Sequence, residues 1–196
     1  MAKTGMMLLA LAAAAWAAPA EEEAIQLKVY VEGMSCPTEC APKVAKVLSS
    51  LEGARDVKLV DFDKGLFSLS IDAKSAIKPT QLQKSLGAYK VKKIEGTLVG
   101  TLSLKDKETF LTGAGGAKYA VFVDADAACC DDAKGEAKKG ADKKDADECP
   151  AIAALKAKLQ ALAKDGKRVK VTGIVSECCE VNVAVTSIEE QKQPAN

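Results

Sequence analysis

The sequence predicts an α+β protein, and three observations carry that class. Apolar residues alternate strictly from Ile25 to Val31, as on a half-buried strand. They recur at i, i+3, i+4 and i+7 from Val44 to Leu51, as on a helix lying on a core. Up to Ile94 the segments follow one another as β-α-β-β-α-β. A chain of 196 residues is long enough for one or two such units, each with its own core.

The elements follow in order. Ile25, Leu27, Val29 and Val31 form the buried face of a first strand. Gly33 to Cys40 is a loop. Val44, Val47, Leu48 and Leu51 make one helical stripe, and Gly53 is expected to close that helix. A second strand begins at Val57 and Leu59, and Asp63-Lys64-Gly65 is a hairpin turn. Phe67, Leu69 and Ile71 form the third strand. Pro79 opens a short helix carrying Leu82 and Leu86, with Gly87 at its end. Tyr89 to Ile94 is the fourth strand. This order is the ferredoxin-like one, a single antiparallel sheet with two helices on one face.

A second unit is expected from Gly96. Thr97 to Lys105, Glu108 to Thr112 and Ala117 to Val123 read as three strands, with a turn over Gly113 to Gly116. A helix from Pro150 presents Ile152, Leu155, Leu159 and Leu162 and stops at Gly166. Strands through Val169 to Val175 and Val181 to Val185 follow. The order βββ-α-ββ fits a small OB-like barrel, with a plain α+β sandwich as the competing arrangement. The expected boundaries are 24–95 for the first unit and 96–190 for the second. Residues 124–148, nearly all Ala, Lys, Asp, Glu and Gly, form a charged insertion with little to bury.

The first twenty residues read as a signal peptide. Lys3 precedes an apolar run from Met6 to Ala15, too short for a membrane span, and Ala18-Pro19-Ala20 supplies a cleavage site. A periplasmic or secreted chain without a membrane span follows, in a compartment where cysteines can pair.

Composition narrows the function. There are 28 Lys and Arg against 27 Asp and Glu, and aromatics are 4%. That balance speaks against nucleic acid as a partner. There is no histidine, which removes Ser-His-Asp and Cys-His nucleophiles and imidazole metal sites. No carboxylate pair or phosphate-cradling glycine loop stands in a recognisable setting, so no enzymatic activity is expected. What remains is seven cysteines.

Two of them, Cys36 and Cys40, flank the start of the first helix in Gly33-Met34-Ser35-Cys36-Pro37-Thr38-Glu39-Cys40. Exposed N–H groups and the helix dipole there favour thiolate, the form a soft metal ion binds. Gly33 permits the bend out of the strand, and Met34 is expected to be an apolar peg rather than a ligand. Three readings stand for the pair: a metal site, a disulfide reduced before binding, and no metal role. The other five, Cys129, Cys130, Cys149, Cys178 and Cys179, read as structural disulfides, as a second soft-metal site, or as unpaired thiols.

At Gly33, Met34 and Cys36 the chain resembles the heavy-metal-associated domain family, whose motif is G-M-x-C-x-x-C after the first strand of a βαββαβ fold. The resemblance covers about Ile25 to Ile94 and extends to Ala88-Tyr89-Lys90-Val91. It departs at Cys40, which follows Cys36 by four positions rather than three. If the helix has already begun, one extra residue turns the second sulfur by about a hundred degrees. The resemblance implies a soft ion, copper(I) foremost, with mercury, zinc or cadmium also within the family's range. It also implies a protein partner for metal exchange. The alternative is an exported interaction module whose OB-like unit binds a protein or glycan.

Overall fold

The computed structural model describes residues 24–75, 77–124, 150–177 and 180–191. The predicted signal peptide, the insertion beyond Asp124, and Cys129, Cys130, Cys149, Cys178 and Cys179 lie outside the described residues. Among the described residues are three helices and eight strands joined in one mixed α+β sheet of order β2-β3-β1-β4-β5-β6-β8-β7. The strands are β1 (Ile25–Glu32), β2 (Ala54–Asp61), β3 (Leu66–Ile71), β4 (Lys90–Lys105), β5 (Glu108–Gly113), β6 (Lys118–Phe122), β7 (Arg168–Glu177) and β8 (Val181–Glu190). The helices are α1 (Cys40–Ser49), α2 (Pro79–Leu86) and α3 (Pro150–Lys164).

The alternation of β1 becomes its burial. Ile25, Leu27, Val29 and Val31 are buried, and Gln26, Lys28 and Glu32 are exposed. β1 pairs antiparallel with β3 on one side and β4 on the other. Its inner face belongs to one core with Phe67 and Leu69 of β3, Val44 and Leu48 of α1, and Leu82 and Leu86 of α2. Each large apolar side chain so buried contributes about 1.5–3 kcal/mol.

α1 stops at Ser49, four residues before the expected closure at Gly53. The Ser49 hydroxyl donates to the Ala45 carbonyl at 2.8 Å, and the Ser50 hydroxyl to Val47 at 2.7 Å. Such back-bonds compete with helix continuation. Leu51 then turns on a bond from its N–H to the Leu48 carbonyl.

The fourth strand and the strand expected from Thr97 are one. β4 runs unbroken for 16 residues, so the expected boundary between residues 95 and 96 falls inside a strand. Gly96 reads as punctuation in the sequence. In the sheet it sits between Leu27 of β1 and Gly173 of β7, paired on both sides. A Cβ there would come 3.0 Å from Val175 Cγ2 and 3.3 Å from Leu27 Cδ2. Glycine therefore serves close packing rather than a break.

β4 changes partners along its length. Residues 90–97 pair with β1, 95–101 with β7 and 100–105 with β5. The pairings β4-β5-β6-β8-β7-β4 close a ring of five strands, parallel only between β6 and β8. Leu98, Leu102, Leu111, Tyr119, Val171 and Val183 are buried in the same continuous core as the β1 face. Ile152, Leu159 and Leu162 bury the inner stripe of α3.

Candidate functional site: the thiol loop

The loop between β1 and α1 begins where the β1–β4 pairing ends, at Glu32 opposite Lys90. Gly33 takes φ +95°, a left-handed conformation that L side chains rarely adopt. A Cβ on Gly33 would meet the Ala88 carbonyl and the Tyr89 ring at ordinary contact distances, 3.8 and 3.9 Å. Conformation, not space, is what calls for glycine here. Met34 is half-buried and packs against the core.

Turn residues 37–39 follow, and α1 starts at Cys40 itself. The Cys40 N–H donates to the Cys36 carbonyl at 3.2 Å, so a single turn separates the two cysteines. The extra spacer residue is taken up in this turn, before the helix. Cys36 and Cys40 remain together, their sulfurs 3.4 Å apart. Both are free and half-buried. A disulfide bond measures about 2.05 Å, so these are two thiols in contact.

The surroundings favour the anion on Cys40. Its pKa falls to about 6, first because the Ser35 backbone N–H donates to its sulfur. The Cys36 thiol and N–H and the Ser35 hydroxyl follow, and partial burial opposes them. The Ser35 Oγ lies 3.7 Å from the Cys40 sulfur. The acidic residue at this helix start is Glu39, the N-cap, whose side chain makes no capping hydrogen bond.

Tyr89 completes the site, its ring lying 3.9 Å from the Cβ position of Gly33. Its hydroxyl pKa is raised, chiefly by a hydrogen bond to Cys40, then by burial and by the charges of Cys40 and Cys36. The Gln83 side chain fixes Tyr89. Its Nε2 donates to the Tyr89 carbonyl at 3.0 Å, and its Oε1 accepts the Val91 N–H at 2.7 Å. The sequence carries the signal only through topology: β4 neighbours β1, so the residue before β4 faces the loop after β1.

Among the described residues, no group of three or more Cys, Asp or Glu side chains is placed to hold a metal ion. The loop thus offers two sulfur donors. Soft cations take thiolate, and a half-exposed pair leaves room for incoming ligands.

Alkylation provides a check on the electrostatics. A lowered thiol pKa means thiolate persists above that value, so the Cys40 reaction rate with iodoacetamide should climb through pH about 6. It should level off by about pH 7.5, whereas an ordinary cysteine keeps gaining through about 8.5. Ser35→Ala should shift this midpoint little, since the backbone supplies the largest effect. Peptide-resolved mass spectrometry reads both rates; a Cys40 profile centred near 8.5 would contradict the hydrogen-bond assignment. Compared with protein-family models, curated proteins and solved structures, the chain matches none.

Proposed function

We propose that this chain is an exported binding protein for a soft metal ion, held by Cys36 and Cys40 for trafficking or scavenging. The observation that carries the reading is the pair of half-exposed thiols 3.4 Å apart at the start of α1. Thiolate is the ligand form, and the N–H groups around Cys40 stabilise it. Gly33 and Met34 anchor the loop. Two donors on an open loop suit hand-over, because an incoming ligand can bind the ion before either sulfur leaves.

The strand order β2-β3-β1-β4 with α1 and α2 agrees with a ferredoxin-like unit of the heavy-metal-associated type. The ring order β4-β5-β6-β8-β7 agrees with an OB-like barrel. The first of these arrangements supports the reading drawn from the thiol loop. The leading residues support export.

Footprinting tests it. The reduced chain is mixed under argon with one equivalent of copper(I), mercury(II), zinc(II) or cadmium(II), then alkylated and mapped. At least one ion should slow alkylation of both Cys36 and Cys40 by about tenfold or more. Unchanged labelling at both residues with every ion would end the proposal.

A further inference from the structure

The ring of five strands carries a cleft of its own. It lies between α3 and the strands β5, β6 and β8, open on one side, with a volume of about 580 Å³. Small-molecule sites run from about 300 to 1,000 Å³. Val121 and Leu159 are buried in its wall, Val123 is half-buried, and Phe122 is 44% exposed at the rim. Covering such apolar surface is favourable.

Thr109 breaks the apolar character of that wall. It lies opposite Val121 of β6 and is buried in alternation with Leu111, two positions along β5. It is only 8% exposed, and its hydroxyl makes no hydrogen bond among the described residues. The one fully enclosed side-chain oxygen without a partner among them is that of Tyr119. The Thr109 hydroxyl therefore still reaches the cleft that Thr109 lines. A hydroxyl held so deep without a partner is destabilising, and valine would fill the same space without that cost. A guest that accepts a hydrogen bond from it removes the cost.

The mouth sets the charge of the guest. Lys107 and Lys156 stand there with Glu108 and Glu180. Two positive and two negative formal charges cancel, so no net field draws an anion or a cation.

We propose that this cleft binds an uncharged, largely apolar molecule with a carbonyl group, a ketone, ester or amide, whose oxygen accepts a hydrogen bond from Thr109. A carbonyl suits the site because it needs a donor and brings none. A guest O–H or N–H at this depth would have Val121 and Leu159 for neighbours, neither with a side-chain acceptor. The site shares no residue with the thiol loop and does not depend on the metal-binding reading.

Fluorescence titration of the full reduced chain tests this. The probe is an uncharged naphthalene dye bearing an ethyl ketone, whose emission moves to the blue in apolar surroundings. Saturable binding is expected, with methyl resonances of Val121, Val123 and Leu159 shifting as the dye is added. A naphthalene sulfonate of similar size should bind about tenfold more weakly or worse, since its charge must be desolvated. Thr109→Val should weaken the ketone dye about fivefold to tenfold, with a melting temperature equal to or above the parent's. Thr109→Ser keeps the hydroxyl and should bind within about twofold of the parent. No saturable binding, methyl shifts confined to other residues, a sulfonate bound as tightly as the ketone, or equal affinity in Thr109→Val and the parent each overturn the proposal. If Thr109→Val does not fold, the methyl shifts and the ketone-to-sulfonate comparison on the parent chain decide.

Discussion

Replacing Cys36 and Cys40 together by serine is expected to weaken soft-ion binding at least about a thousandfold, roughly 4 kcal/mol, while barely moving the melting temperature. A serine hydroxyl at neutral pH is neither anionic nor polarisable, so both metal–sulfur bonds are lost. Four-ligand zinc sites in small peptides are worth about 10–16 kcal/mol, and half that set leaves room for a loss of this size. Stability should hold because both side chains are half-exposed and neither belongs to the continuous core. Surface changes of this kind fall within about 0.5 kcal/mol, or about 2 °C for a chain of this length. The single variants should differ: Cys40→Ser removes the thiol whose pKa the loop lowers, whereas Cys36→Ser removes one of its thiol contacts and leaves the Ser35 and Cys36 N–H groups in place. Competition titration for affinity and circular dichroism for melting separate the two effects. Binding within about threefold of the parent would show that the ion sits elsewhere.

What could be read in advance followed from local rules. The β1 alternation, the α2 boundaries at Pro79 and Gly87, and the stripe of α3 each depend on a side chain's own neighbours, and each holds in the structure. What escaped depends on partners distant in sequence. Gly96 carries no local sign that Leu27 and Gly173 flank it, so a strand interior reads as a break. Leu59 and Val60 look like core residues yet are 40% and 59% exposed. β2 is an edge strand whose pairing with β3 shifts register twice. Such irregularities turn side chains off the alternating pattern and blunt an open edge. The thiol loop divides the same way. Cys36, Cys40, Gly33 and Met34 are contiguous and legible as a motif. Whether an added spacer residue separates the sulfurs depends on where the helix begins, and that is settled by the bond from the Cys40 N–H to Cys36.

The largest effect away from the sulfurs is expected at Gly65, in the β2–β3 turn. Its φ is +61°, a conformation that costs an L residue about 1–2 kcal/mol. A Cβ there would lie 1.9 Å from the Val31 carbonyl oxygen, a backbone atom that cannot swing aside. The same residue accepts the Val31 N–H at 2.9 Å, so relieving the clash breaks a bond on which β1 leans. Gly65→Ala should therefore cost about 3 kcal/mol or more, the conformational strain plus an overpacking term. In a chain of this length that lowers the melting temperature by about 10 °C. Val31 is the last buried residue of β1 and stands two positions before Gly33, so displacing it also moves the thiol loop. Ion affinity should fall about tenfold, as it does when the supporting shell of a metal site is disturbed. Gly116→Ala is the matched control. Gly116 has φ +82° but nothing within 4 Å of its Cβ position, so it should lose only the conformational 1–2 kcal/mol or so and keep its ion affinity. If both variants melt together and bind alike, the hairpin yields without strain and the loop does not depend on Val31 for its placement.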